Sequence, residues 1–173
     1  MKIYIIVEDT YAIEGLKRLI KRIEVPNEVK VVIKSLPICS NKMQRIVKAA
    51  LKDYDKVIVI KDSECNDPNE VRREIREKHL SSEASKGEVI TVVPCIEEWP
   101  CKALRLKNCD VAPCNAGPLS SINEYWMRKH RKDYAKKYLP YVLEEAFSGL
   151  SIDELRRISP SLGKLLKELL PNH

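Results

Sequence analysis

Two stretches of this chain run directly from apolar residues into carboxylates. Residues 2 to 7 (Lys-Ile-Tyr-Ile-Ile-Val) end at Glu8 and Asp9, and Val57-Ile58-Val59-Ile60-Lys61 ends at Asp62, Glu64 and Asp67. Short, mostly β-branched runs of this kind read as strands buried on both faces of a parallel sheet. In open α/β sheets, ligand chemistry lies just beyond the carboxyl ends of such strands. Carboxylates placed there are hard oxygen ligands suited to Mg²⁺ or Mn²⁺. A cation so held can polarise a phosphoryl oxygen and supply a hydroxide for in-line attack. Glu8, Asp62 and Glu64 are therefore candidate metal ligands and catalytic groups. Plainer roles compete. Asp67, followed by Pro68 and Glu70, reads as a helix cap, and Glu8 or Asp9 alone can cap the helix that follows. Asp62 is harder to explain as scaffold, because an acid ending a buried strand costs desolvation unless something compensates.

The elements that would position these acids alternate. After the first strand, Ile13, Leu16, Leu19, Ile20 and Ile23 recur at helical spacing. Pro26 and Asn27 turn the chain into a strand over 28–34, and Ser40 caps a helix with Met43, Ile46, Val47, Ala50 and Leu51 inside. The strand ending at Asp62 comes third, the Asp67 helix follows, and Val89 to Val93 form a fourth strand closed by Pro94. This order implies crossover units and a mainly parallel four-stranded sheet flanked by helices. In such a sheet strands one and three are commonly neighbours, so Glu8 and the Asp62/Glu64 pair would converge on one crevice. From Ile96 the pattern becomes helical. Pro100 must lie in a first turn or break its helix, 107–120 reads as a loop, and 122–147 reads as a long helix interrupted near Pro140. Ser151 to Glu154 is a capping box and Ser159-Pro160 starts a last helix. The expected division is an α/β domain over 1–106 and an all-helical C-terminal extension over 107–173 packed on it.

Composition sets outer bounds. Apolar residues make up 44% and charged residues 32%, which belongs to a globular chain rather than a disordered one. No apolar run approaches the roughly 20 residues needed to span a bilayer, so no membrane is expected. The first strand leaves no room for a signal peptide, and a cytoplasmic location is the default expectation. The net charge of +6 permits a nucleic-acid or phosphate partner without requiring one. A single glutamine, Gln44, among many Lys, Glu and Ile leans towards a thermophilic source.

Val7-Glu8 at the end of the first strand, with Asp62-Ser63-Glu64 at the end of the third, resembles the Toprim domain. The likeness is greatest to a small family of stand-alone OLD-like (overcoming-lysogenization-defect) Toprim proteins. These share a Pro-x-Ile-Glu-x-Trp stretch, here Pro94-Cys95-Ile96-Glu97-Glu98-Trp99, and a closing segment like the one from Asp153 to Leu162. The resemblance implies a Toprim/Rossmann-like fold and a Mg²⁺-dependent (or Mn²⁺-dependent) enzyme of DNA or RNA phosphodiesters, with a nuclease as the leading reading. It implies that Glu8 acts in acid–base chemistry or metal binding, that Asp62 and Glu64 hold the metal, and that Glu97 serves a second metal or orients the first. The chain departs from the family at Asp9, where Gly is usual, and at Glu64, where a shorter acid is usual. Tyr11-Ala12 supply no further acid, and Pro100 replaces an apolar residue. A non-catalytic nucleic-acid-binding module is the alternative these departures favour. A receiver-like phosphorylation switch on Asp62 would need a Ser/Thr after the fourth strand and a Lys after a fifth.

Arg128, Lys129, Arg131 and Lys132, with Lys136 and Lys137 beyond them, are interleaved with Tyr125, Trp126, Tyr134 and Tyr138. Basic groups for phosphates and aromatics for bases suit single-stranded nucleic acid, while a solvated helix with its aromatics packed inward fits the same pattern. Cys95, Cys101, Cys109 and Cys114 lack the Cys-x-x-Cys pairs of a zinc ribbon. Local disulfides, Cys95–Cys101 or Cys109–Cys114, are favoured over zinc, with buried free thiols as the alternative.

Overall fold

The apolar runs form strands because alternate side chains on each find a separate core. In the computed structural model, which describes residues 1–81 and 85–171, β1 (Lys2–Val7), β2 (Lys30–Ser35), β3 (Lys56–Asp62) and β4 (Gly87–Val92) make one sheet. All pairings are parallel, in the order β2-β1-β3-β4. Ile3, Ile5, Val7, Ile58, Ile60, Ile90 and Val92 face one core, while Tyr4, Ile6, Val57, Val59 and Val89 face the other. β2, at the edge, is only half-buried. The expected parallel α/β sheet flanked by helices is therefore what the chain forms. The last two residues of the expected extension lie outside the described residues.

The first core is covered by α1 (Thr10–Arg22), α6 (Leu139–Phe147), α7 (Ile152–Ile158) and α8 (Pro160–Leu169). The second is covered by α2 (Asn41–Asp53) and α3 (Pro68–Ile75), which continues into a π-helical turn at Arg76–Leu80. Leu143, Phe147, Leu162, Leu165 and Leu166 sit in the same core as β1 and β3, so the C-terminal helices complete the layer over one sheet face. Helix starts follow local chemistry. Asp9, Ser40, Asp67, Ser151 and Ser159 each accept a backbone N–H of the first turn they precede, and Ser151 with Glu154 closes a full capping box. Pro100 lies in the first turn of α4 (Glu98–Ala103), where it costs no helical hydrogen bond.

The expected helical stretch is interrupted near Pro140, over residues 131–138. α5 (Pro118–His130) begins inside the stretch read as a loop, and it ends where Arg131 adopts a left-handed φ of 57°. A non-helical segment and a 3₁₀ turn at Lys136–Tyr138 follow. Pro140 does not interrupt a helix, because it occupies the first turn of α6, where its missing N–H has no role.

The two sequence segments that flank the C-terminal region meet in space. Trp99, fully buried, donates Nε1–H to Ser161 Oγ at 2.8 Å, and Ser161 Oγ lies 3.4 Å from Glu98 Oε2. Glu98 is itself buried and pairs with Lys102 at 2.7 Å. Burial raises the Glu98 pKa while Lys102 opposes the rise. α8 is thus tied to α4 by a small polar network inside an apolar layer. Ser161→Ala leaves the Trp99 N–H without its partner, and should lower the free energy of unfolding by about 1–3 kcal/mol. Urea denaturation reads this directly. An unchanged midpoint would mean that the Trp99–Ser161 link contributes nothing.

A candidate metal centre at the sheet switch point

β1 and β3 are adjacent, while β2 lies beyond one and β4 beyond the other, so the strand order reverses between them. The acids that end these strands open into that crevice. Glu8 and Asp62 line one small cavity of about 20 Å³ together with Val7, Asp9, Ala12, Ile60 and Ile96. That volume is near what a single water or ion occupies.

Asp62, Glu64 and Glu8 are each held by a donor from a different part of the chain. Ile96 N–H donates to Asp62 Oδ1 at 3.0 Å. Beyond Asp62 the chain stays alongside the end of β4, through Ser63 N–H to Val92 O and Glu64 N–H to Pro94 O. Glu64 then turns with a left-handed φ of 52°, unusual for a residue with a side chain, and its Oε2 accepts from Cys114 N–H at 3.2 Å. Glu8, exposed at the rim, accepts from Lys61 Nζ at 2.6 Å. Glu97, on the turn entering α4, is fully buried. The acids therefore grade from a buried floor at Glu97 to an open rim at Glu8 and Glu64.

The electrostatics show that they share one site. The carboxylate of Asp62 is packed round by protein, although the residue keeps some exposed surface. Its pKa is pushed up to about 7, first by burial, then by the charge of Glu97, with Glu8 and Glu64 adding and Lys136 opposing. Glu97 is raised by burial too, against Lys136. Burial works to lower the Lys136 pKa, but Glu97, Asp9 and Asp62 outweigh it and raise it.

Glu8, Asp62, Glu64 and Glu97, the four acids expected at the metal, thus lie within electrostatic reach of one another. Asp67 stands apart as the cap of α3, accepting from Asn69 and Glu70 N–H. Three further members were not foreseen as part of the site. Asp9 caps α1 through Oδ1 and meets Lys136 Nζ at 3.2 Å through Oδ2. Lys136 belongs to the basic stretch, but only the turn after α5 carries it onto the acids. Tyr134 approaches as well. Burial, Glu97 and Asp9 all raise its pKa, and its hydroxyl is buried without a partner.

The basic residues expected to bind nucleic acid are less free than their spacing suggests. Arg128 pairs with Glu124, and Lys129 pairs with Glu145, which Tyr125 also reaches. Arg131 ends α5, and Lys132 stands 4.4 Å over the Tyr138 ring. Trp126 is buried and stacks on Tyr138, so these aromatics pack against one another.

The cysteine pairing differs from the expected one. Cys95 joins Cys114 and Cys101 joins Cys109, in place of Cys95–Cys101 and Cys109–Cys114. The pairs nest because α4 carries Cys101 away from Cys95, and the chain then folds back over both. The outer disulfide walls the site beside Glu97.

The donors are carboxylates, the ligand type of a hard divalent cation, and Glu97 Oε1, Ser63 Oγ and Tyr134 Oη are buried without a hydrogen-bond partner. Among the described residues no three of these acids bring ligand oxygens within 4.8 Å of one another, so a shared cation would require their side chains to close up. Among the described residues there is no fifth strand from which a receiver-type lysine could project. No helix among them is long and apolar enough to cross a membrane.

Crowded carboxylates should destabilise the metal-free protein, and pH sets by how much. The folded pKa of Asp62, about 7, lies above its ordinary value of 3.8, so the folded state binds the extra proton between them. The stability that this proton confers is fully present below about pH 4 and is lost as pH rises through about 7. Asp62→Asn should therefore be more stable than the chelator-treated parent at pH 8, by roughly 2–4 kcal/mol, and the gap should close near pH 4. Thermal unfolding across pH checks it; equal stability at pH 8 would contradict the burial described.

No family model, no curated protein and no solved structure matches the chain.

Proposed function

We propose that the chain is a Mg²⁺- or Mn²⁺-dependent enzyme acting on nucleic-acid phosphodiesters, a nuclease of the Toprim type. The observation that carries this reading is the convergence of Glu8, Asp62, Glu64 and Glu97 at the switch point, with Lys136 folded onto them. Asp62 and Glu64 would hold the cation through the oxygens that Ile96 and Cys114 leave uncommitted. When bound, the cation would stabilise charge on the phosphoryl oxygens and lower the pKa of a water. Glu97 orients the set from below. Glu8, exposed at the rim, is placed to ligate or to take a proton from the attacking water, with Lys61 fixing its other oxygen.

Lys136 stands beside the acids, and Lys132 and Lys137, in the same segment, lie 4.4 and 5.2 Å over Tyr138. Arg131 is exposed, as is Arg128 despite its pairing with Glu124. Exposed cations of this kind would supply sequence-independent phosphate contacts.

A non-catalytic binding module is the second reading. Lys61 on Glu8 and Lys136 on Asp9 already neutralise two acids without a metal. Incubation with single- and double-stranded DNA and RNA, with Mg²⁺ or Mn²⁺, separates the two. The nuclease reading predicts cleavage that falls by about 10²-fold or more in Asp62→Asn, while Asp67→Asn cleaves normally. Salt-sensitive binding without turnover supports the second reading, and cleavage that survives Asp62→Asn overturns the catalytic assignment.

A further inference from the structure

Glu97 stands between two different chemistries. On one side are the oxygen donors of the acidic crevice. On the other is the Cys95–Cys114 disulfide, with Cys114 Sγ 3.7 Å from Glu97 Oε2. A disulfide sulfur has no proton to give, and Glu97 Oε1 has no partner at all. Cys95 and Glu97 are fully buried, and Cys114 is 6% exposed. One ligand atom from each of the three falls within 4.8 Å of the others.

We propose that, when the disulfide is reduced, Cys95, Cys114 and Glu97 form a binding site for a thiophilic divalent cation of the Zn²⁺ class. Two thiolates and one carboxylate are an ordinary zinc donor set, and three protein ligands leave a fourth position for water. Zinc–sulfur bonds of about 2.3 Å in tetrahedral geometry hold two sulfurs roughly 3.8 Å apart. The cluster reaches that spacing once the S–S bond opens. The electrons balance simply. A dithiol reductant gives two electrons and two protons to the S–S bond, leaving two thiols and an oxidised reductant, and the cation then displaces both thiol protons. The bound set carries a net charge of −1, offset by the nearby Lys136 that Glu97 already polarises. Disulfide and cation are thus alternative cross-links between the turn before α4 and the segment around Cys114. The inner pair, Cys101–Cys109, has no third ligand grouped with it among the described residues.

The site shares Glu97 with the nuclease reading, but no cleavage enters its test, so the two readings fail separately. Two free cysteines, Cys39 and the exposed Cys65, are first replaced by serine in the full chain. The reduced protein is then titrated with Co²⁺ as an optical probe and with Zn²⁺ in competition. The expected result is one thiolate-bound ion per chain, seen as a sulfur-to-cobalt charge-transfer band that Zn²⁺ abolishes and that the oxidised protein lacks. The Cys101→Ser/Cys109→Ser variant should keep the band. Cys95→Ser/Cys114→Ser should lose it, and Glu97→Gln should weaken binding at least tenfold while thiolate absorption persists. Absence of the band in the reduced protein, or its loss with the inner pair rather than the outer, overturns the proposal. So does undiminished affinity in Glu97→Gln.

Discussion

Desolvated negative charge at the carboxyl ends of a parallel sheet is the constraint on which the rest of this structure depends. Asp62 and Glu97 are crowded together, and both are pushed towards protonation by burial. An isolated carboxylate would not persist there, because its charged form needs a partner of opposite sign or strong hydrogen bonds. The fold supplies part of this through Ile96 N–H and the ammonium of Lys136, and it leaves Glu97 Oε1 unmet. Such an arrangement is costly as scaffold. It is the cost expected where a cation is to be held.

The architecture around the crevice serves to hold that arrangement in place. β1 and β3 deliver Glu8 and Asp62 side by side, and the turn from β4 into α4 brings Ile96 and Glu97 across from them. α4 is in turn anchored by Trp99 on Ser161 and covered by the C-terminal helices. The nested disulfides pin the segment that presents Cys114 N–H to Glu64. The helical region therefore does more than cover a sheet face: it closes one wall of the site and sends Lys136 into it.

Most of what was local in the chain was legible in the sequence. The strands showed as β-branched runs, and the caps at Asp9, Ser40, Asp67, Ser151 and Ser159 showed as short-range patterns that the backbone then used. Adjacency of β1 and β3 followed from the preferences of parallel sheets, and with it the meeting of Glu8 and Asp62. Glu97 was reached only through resemblance, since nothing in its spacing points back to Asp62. What was missed is set by tertiary folding. Lys136 lies within a basic stretch whose neighbours Arg128 and Lys129 pair locally, and only the left-handed turn at Arg131 separates their fates. The cysteine pairing depended on how far α4 carries Cys101, which the spacings of the four cysteines do not encode. The interruption near Pro140 was legible, although the proline itself starts the next helix and the break runs over residues 131–138 before it.

The central claim is that the four acids form one divalent-cation site. Titration of the chelator-stripped protein with Mn²⁺ at pH 8, followed by water-proton relaxation or calorimetry, tests it most directly. Saturable binding that is lost in Asp62→Asn, weakened in Glu97→Gln and retained in Asp67→Asn is the predicted result. Failure to bind Mn²⁺, or binding indifferent to Asp62, would contradict the account.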